Sequence, residues 1–94
     1  MKEQVIQDAQ QQCFKVHLEG DEYALVHYEL APGVMTITST RVPERLQGKG
    51  YGKVMMETVL PLIEQQGLTI VPQCSYVDHY LTRHPQWQHL RHQS

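Results

Sequence analysis

The sequence contains few of the features that mark secreted, membrane-bound or nucleic-acid-binding proteins. It has only two cysteines, Cys13 and Cys74, which lie far apart and argue against a disulfide framework or a zinc site. No apolar run approaches the length of a membrane span, and the first residues lack the apolar stretch of a secretory signal. The net charge of −2 includes no basic surplus that would attract a phosphate backbone. We therefore expect a cytoplasmic protein with free thiols, without metal, membrane or nucleic-acid partners.

What the chain does contain is a pattern of short strands. Its 94 residues suit one small domain, so we expect a single domain over residues 1–94, irregular over about 1–12 and frayed over about 88–94. Three segments alternate polar and apolar residues or are rich in β-branched residues, and turn residues separate them. The predicted strands are Cys13–Glu19, Tyr23–Leu30 and Val34–Val42, which form an antiparallel meander.

A helical pattern follows the third strand. Apolar residues recur at helical spacing between about Gly50 and Gln66, and the glycine at position 67 is a natural C-cap. Pro61 lies inside this helix and is predicted to kink it or cut it short. We read Met55 and Met56 as core residues.

The end of the chain continues the alternation of strand and helix. Leu68–Pro72 reads as a strand, and a strand, helix and strand in this order predict a right-handed crossover with parallel strands. A second helical segment is predicted from Tyr76 to about His92, with a break at His84-Pro85. The fold class is therefore α+β (mixed α/β), with helices packed on a mixed sheet.

The segment between the third strand and the first helix is rich in glycine. Gln47-Gly48-Lys49-Gly50-Tyr51-Gly52 places three alternating glycines at a helix N-terminus, where unpaired amides and the helix dipole favour an anion. Lys49 and Lys53 add positive charge. The loop lacks the Gly-Lys-Ser/Thr ending of a Walker A motif and the spacing of a dinucleotide fingerprint. We interpret it as a loop for phosphate or pyrophosphate; a glycine-rich turn that binds nothing is the alternative.

The same loop resembles the acetyl-CoA-binding motif of the GNAT superfamily of N-acetyltransferases, Gln/Arg-x-x-Gly-x-Gly/Ala. The flanking Thr40-Arg41-Val42-Pro43 and Pro72-Gln73-Cys74 are similar to the small single-domain "N-acetyltransferase domain-containing" members, and the resemblance extends from about Phe14 to Trp87. It implies a minimal GNAT-like fold, acetyl-CoA as the cofactor and an unidentified amine, on a small molecule or a protein, as the acceptor. Full-length GNAT domains carry two helices after their first strand, for which this chain has no room.

The resemblance also implies roles for individual residues. The strand that ends at Val42 would bind the pantetheine arm through its backbone, and it would separate from the strand that ends near Cys74 to leave a slot for the thioester. The amides of residues 47–53 would hold the pyrophosphate. The implied cofactor-binding residues are Arg41, Val42, Gln47, Gly48, Lys49, Gly50, Tyr51, Gly52 and Lys53.

Residues after the last strand are candidates for catalysis. Cys74 lies beside the implied slot and can form an acetyl-cysteine intermediate if a neighbour such as His79 helps to deprotonate it. Its alternative role is that of a small buried apolar residue, and direct transfer would not need it. Tyr80 resembles the tyrosine that can protonate the CoA thiolate in many GNAT enzymes, and Tyr76 competes for that role.

Other observations leave two further classes of function open. The histidines at 84, 89 and 92 read as surface residues, since no cysteine or carboxylate completes a set of metal ligands with them. A CoA-binding module without turnover would use the same loop. An interaction domain would have the loop and bind no cofactor at all.

Overall fold

The computed structural model describes residues 5–92, which form a mixed five-stranded sheet with helices packed on it. The strands lie side by side in the order in which they occur along the chain. The elements are β1 (Val5–Asp8), β2 (Cys13–Glu19), β3 (Glu22–Ala31), β4 (Val34–Arg41), α1 (Tyr51–Gln65), β5 (Thr69–Pro72) and α2 (Ser75–Arg83), with short 3₁₀ helices at Glu44–Leu46 and Pro85–Leu90. The predicted α+β class is confirmed.

The first four strands form a continuous antiparallel meander. Two-residue turns join β2 to β3 and β3 to β4, and the glycines of both turns, Gly20 and Gly33, have positive φ angles of 55° and 76°. Such turns need a residue that tolerates a left-handed backbone, which glycine does without steric cost. The three strands predicted from the sequence are confirmed, with ends that differ by a residue.

The strand β1 corrects the expectation of irregular chain over about residues 1–12. Residues 5–8 pair with β2, from Val5 opposite Val16 to Asp8 opposite Cys13. Val5 packs against the core, and the carboxylate of Asp8 accepts a hydrogen bond of 3.1 Å from the amide of Gln11 in the following turn. Four residues are too few for a recognisable strand pattern. The strand is stabilised by its pairing with β2, which a local pattern does not reveal. Residues 1–4 lie outside the described part of the chain.

The helix α1 crosses from β4 to β5, and these two strands pair in parallel as predicted. The helix runs through Pro61 to Gln65, so of the two predicted effects of the proline, a kink or a shortened helix, the second is wrong. A helical proline removes a main-chain hydrogen bond, but the turn beyond it buries Ile63 completely, which offsets that loss. Gly67, with a φ of 73°, then ends the helix as predicted.

The core lies between the two helices and one face of the sheet. Residues at alternate positions of β2, β3 and β4 are buried, so they project from the same face, and the apolar sides of α1 and α2 cover them. Met55 and Met56 are fully buried, as predicted. The remaining buried members of this cluster are Phe14, Val16, Ala24, Val26, Tyr28, Met35, Ile37, Val59, Leu60, Ile63, Ile70, Val77, Tyr80, Leu81 and Leu90.

The C-terminal segment returns to the sheet. The helical region breaks at His84-Pro85 as predicted, and a 3₁₀ helix follows. Leu90 is buried, and the amide of His92 donates a 2.7 Å hydrogen bond to the carbonyl oxygen of Ile70 in β5. The expected fraying from about residue 88 is therefore corrected as far as residue 92, while residues 93–94 lie outside the described part.

Candidate functional site

The two parallel strands separate at one end of the sheet. Residues 34–37 of β4 pair with residues 69–72 of β5, and the amide of Cys74 adds a last hydrogen bond of 3.0 Å to the carbonyl oxygen of Ile37. Beyond this point β4 continues over residues 38–41, paired with β3 alone. The second edge of this part of β4 therefore offers main-chain groups that β5 does not occupy.

A bulge in β4 coincides with the separation. Tyr28 of β3 lies opposite Ile37, whereas His27 lies opposite Ser39, so Thr38 is an extra residue on β4. A bulge bends its strand and increases the local twist. It therefore turns the end of β4 away from the direction of β5 and opens the slot between them.

The loop after β4 is anchored at its base. Leu46 is completely buried, and the side-chain amide of Gln47 donates a 2.9 Å hydrogen bond to the carbonyl oxygen of Val42. The main-chain amide of Gln47 donates to the carbonyl oxygen of Glu44 at 3.2 Å. Gln47 thus closes the loop on itself through both its side chain and its backbone.

The main-chain amides of the next six residues, 48–53, differ from that of Gln47 in their hydrogen bonding. Gly48 and Gly50 both have a φ of 84°, a left-handed conformation that side chains rarely adopt, and Gly50 is the N-cap of α1. Among the described residues, no side chain caps this helix and no carbonyl pairs with the amides of residues 48–50. The amides of residues 51–53 begin the helix and have no acceptor within it. Together they form a concentration of unpaired donors at the positive end of the helix dipole.

Two cavities meet at this loop. A cavity of about 330 Å³ is lined by Val42, Leu46, Gln47, Gly48, Gly50, Tyr51, Gly52, Lys53 and Tyr76. A cavity of about 220 Å³ lies next to it and is lined by Thr40, Val42, Gln47, Gly52, Met55 and Tyr76. Because four residues line both, the space runs from the glycine loop along the free part of β4 to the start of α2. This is a volume and a shape that a small-molecule ligand requires.

Position 52 requires a glycine for a different structural reason from positions 48 and 50. A β-carbon added there would overlap the hydroxyl oxygen of Tyr76 and lie 2.9 Å from its Cζ atom. The glycine therefore lets the Tyr76 ring cross the first turn of α1. In this position the ring forms part of the wall of both cavities.

Charged groups surround the loop in two arrangements. Arg45 donates to Glu22 at 2.8 Å and lies 3.8 Å from Glu19, so its charge is balanced within the protein. The hydroxyl of Tyr51 donates to Glu19, which lowers the pKa of that carboxyl, and the nearby cations Lys49 and Arg45 lower it further. The same hydrogen bond raises the pKa of Tyr51, so this phenol stays protonated. This network ties the N-terminus of α1 to the end of β2.

The structure brings Cys74 to the slot, with Thr40 beside it. The Sγ atom of Cys74 lies 3.4 Å from the Oγ1 atom of Thr40 on the free part of β4, and Cys74 is the N-cap of α2. The thiol is half-buried. Sequence analysis did not single out Thr40 as a partner, because the contact joins residues on two strands that only the folded sheet brings together.

The other catalytic candidates lie on α2. His79 is exposed and, with Tyr80, lines a third cavity rather than the space beside Cys74. Tyr80 is buried and stacks on the His84 ring at a centroid distance of 3.8 Å, and burial raises its pKa. Tyr76 is more exposed, and partial burial raises its pKa, with a smaller contribution from the neighbouring Cys74. Both phenols are therefore neutral hydrogen-bond donors near neutral pH.

Comparison with known proteins identifies the family to which this arrangement corresponds. A sequence model described as "GCN5-related N-acetyl-transferase" matches residues 13–90. The chain belongs to the GCN5-related N-acetyltransferase family. The match extends from β2 to the end of the last 3₁₀ helix, so it includes the slot, the glycine loop and all candidate catalytic residues.

Two curated relatives of this acetyltransferase domain carry the same name. The chain is 26% identical over 91 residues to Protein NATD1 of Gallus gallus, covering 95% of this chain and 83% of the relative. It is 26% identical over 85 residues to Protein NATD1 of Mus musculus, covering 88% of this chain and 77% of the relative. The resemblance to the GNAT superfamily that the glycine loop carries is thereby confirmed.

A short connection at the start of the sheet distinguishes the described part of this GCN5-related domain. Within residues 5–92 a four-residue turn joins β1 to β2, where full-length domains of the family carry two helices. None of the helices in the described range is long and apolar enough to cross a membrane.

Proposed function

We propose that the protein binds acetyl-CoA along the space between the glycine loop and Cys74 and transfers the acetyl group to an amine. One observation carries the proposal: the unpaired amides of the loop and the unpaired edge of β4 line one continuous space. Family membership supports the same chemistry, because GCN5-related N-acetyltransferases generally use acetyl-CoA.

The proposed cofactor-binding residues form two groups, and each group suits a different segment of the ligand. The amides of residues 48–53 suit the pyrophosphate, with Lys49 and Lys53 at the rim. The carbonyl and amide groups of β4 between Thr38 and Val42 suit the amides of the pantetheine arm, as an added strand would. Arg41 and Val42 belong to this second segment. The thioester then lies at the slot beside Cys74.

Acetyl transfer requires a neutral amine that attacks the thioester carbonyl and a proton for the departing thiolate. Tyr76 and Tyr80 are neutral phenols on α2. Tyr76 lines the space that we assign to the cofactor, and it supplies that proton in the direct mechanism. Tyr80 and His79 line a neighbouring cavity instead, so we assign them no part in the direct transfer step.

Cys74 provides a second route to the same product. The deprotonated thiol attacks the thioester carbonyl, so that acetyl-cysteine forms and the CoA sulfur leaves and takes up the proton. An amine then attacks the acetyl-cysteine carbonyl, so that the acetyl group passes to the amine and the Cys74 sulfur leaves as the thiol with the proton that the amine loses. The half-buried position of Cys74 at the slot favours this route, and Thr40 at 3.4 Å orients the sulfur.

A CoA-binding module without turnover is the second candidate function. It is favoured by the short connection between β1 and β2, because two helices that would enclose an acceptor are missing from the described residues. In this case the cofactor would bind and no acetyl group would leave it.

The test is a titration of isotopically labelled protein with acetyl-CoA, followed by amide NMR shifts and intact mass. Saturable shifts at residues 38–42 and 48–53 are expected, whereas the turn at residues 20–21 serves as an internal control. Absence of shifts in the loop would contradict the proposal. An added acetyl mass that disappears in Cys74→Ala would support the cysteine route, and release of free CoA on addition of an amine would exclude the binding module.

A further inference from the structure

A third cavity lies between the start of α1 and the outer side of α2. Its volume is about 220 Å³, and it is lined by Lys53, Tyr76, His79, Tyr80, Arg83 and His84. Among the described residues, the lining includes a lysine, an arginine and two histidines, and it includes no carboxylate. Side chains of this composition favour an anion with several acceptor oxygens.

The pairing of the cations points to an external partner. Arg45 and Arg91 have carboxylate partners at 2.8 Å, but among the described residues Arg83 has neither an ion pair nor a hydrogen bond. Lys53 lies 4.0 Å from Glu57, and both of these side chains are exposed, so this pair is weak. The cavity thus holds a guanidinium whose five donors have no partner within residues 5–92.

The position of this cavity beside the glycine loop indicates which anion it suits. Lys53 and Tyr76 line both the third cavity and the large cavity at the glycine loop, so the two are neighbours. Coenzyme A carries a phosphoryl group on the 3′ oxygen of the same ribose whose 5′ oxygen bears the pyrophosphate. A pyrophosphate on the loop amides therefore places a second, doubly charged phosphate within a short distance.

We propose that the cavity between α1 and α2 binds the 3′-phosphoryl group of the cofactor, with Arg83 as its main ligand and Lys53 shared between the two phosphate sites. This inference rests on the proposed function, since it assumes that acetyl-CoA binds at the glycine loop. It adds a discrimination that the loop amides alone cannot provide, because they contact only the pyrophosphate. The protein then selects CoA over its 3′-dephospho form.

The experiment compares calorimetric titrations of CoA and 3′-dephospho-CoA at one fixed ionic strength. We expect the unmodified protein to bind CoA about tenfold more tightly, because exposed charge pairs each contribute a few-fold in affinity. Arg83→Gln should reduce this preference to about threefold or less while the affinity for 3′-dephospho-CoA stays the same. Lys15→Gln is the matched control, since Lys15 lies on β2 and pairs with Asp8, and it should keep the full preference.

The possible outcomes distinguish a failure of this inference from a failure of the proposed function on which it rests. Equal affinities of the unmodified protein for the two compounds would overturn the phosphate site and leave cofactor binding intact. A full preference retained in Arg83→Gln, with an unchanged melting temperature, would also overturn it and would point to an acidic acceptor for this cavity. If neither compound binds, both the proposed function and this inference fail.

Discussion

The ring of Tyr76 lies where a side chain at position 52 would be, so it can pack there only because residue 52 is a glycine. In Gly52→Ala the new methyl group would displace the Tyr76 ring, which is 38% exposed and can swing outward at little cost in stability. We therefore expect the melting temperature to change by less than about 4 °C, because alanine also favours the helix. Affinity for acetyl-CoA should fall about tenfold or more, since the wall shared by two cavities moves.

A double-mutant cycle checks this explanation. If the ring transmits the effect, Gly52→Ala should weaken acetyl-CoA binding in the presence of Tyr76 and have little further effect in Tyr76→Ala. Additive losses in affinity would contradict the explanation and would mean that the added methyl group itself obstructs the cofactor.

Gly48 and Gly50 are required for the shape of the backbone rather than for space. A β-carbon at either position meets nothing within 4 Å, but φ is 84° at both. We expect Gly50→Ala to lower the free energy of unfolding by about 1–2 kcal/mol, the cost of a left-handed conformation for an ordinary residue. Gly50→Asn is the matched variant and should cost less, because asparagine tolerates this conformation. Urea denaturation measures both, and equal losses would contradict the argument.

At the scale of single residues, the sequence predicted the position of the loop between β4 and α1 but not the structural role of each glycine in it. Nothing in the sequence distinguishes the two glycines that have a positive φ from Gly52, which makes room for Tyr76. The hydrogen bond from the side-chain amide of Gln47 to the carbonyl oxygen of Val42 could not be predicted either. Such contacts depend on how distant segments meet, and a local pattern does not contain that information.

The hydrogen bond between Tyr51 and Glu19 joins two elements, the start of α1 and the end of β2. It is the largest cause of the lowered pKa of Glu19. The contribution of this carboxyl to stability is therefore present above its unfolded-state pKa and is lost as the pH falls through the lower, folded-state value. We expect Tyr51→Phe to raise the pKa of Glu19, which an NMR titration of its carboxyl carbon measures. An unchanged pKa would show that Lys49 and Arg45 suffice.

The proline within α1 offers a test of how the helix is stabilised. Pro61 removes a main-chain hydrogen bond, and the helix nevertheless runs to Gln65 because the last turn buries Ile63. Pro61→Ala should restore the donor and raise the free energy of unfolding by about 1–3 kcal/mol. Gln65→Ala, at the exposed end of the same helix, should change it by less than about 0.5 kcal/mol. Reduced stability of Pro61→Ala would mean that the proline ring packs better than it disrupts.

Elements that a periodic pattern defines were predicted within a residue or two, and this holds for β2, β3, β4, α1 and β5. The exception, strand β1, has only four residues and depends on pairing with β2. The helix α1 reaches its predicted end in spite of Pro61, because core contacts beyond the proline stabilise its last turn.

For the molecule as a whole, the last residues close the core beside β5. Leu90 is 3% exposed, and the chain beyond it bonds to Ile70. We expect Leu90→Ala to lower the free energy of unfolding by about 2–4 kcal/mol, the usual loss for a buried leucine. His89→Ala provides the control, because His89 is exposed and its hydrogen bond to Glu64 and its stacking on Trp87 lie at the surface, so the loss should stay below about 1 kcal/mol. Similar melting temperatures for the two variants would contradict the packing of Leu90.

The overall fold was predictable because strand order, helix position and turn residues all agree in this sequence. The candidate site was predictable only in part. The loop could be located from its motif, whereas the opening between β4 and β5 depends on a bulge at Thr38 that no residue pattern marks. The third cavity forms where two helices meet, so no local pattern indicates that Lys53 and Arg83 both line it.

The order of strands in the sheet has a consequence for how the protein is made. Every neighbouring pair from β1 to β4 is joined by a tight turn, so these hairpins can form as the chain leaves the ribosome. The pair β4–β5 must wait until all of α1 has been synthesised and placed. The proposed cofactor bridges the mouth of that late pair, so it can recognise only a finished chain. Acetyl-CoA should accordingly slow unfolding and leave the folding rate unchanged.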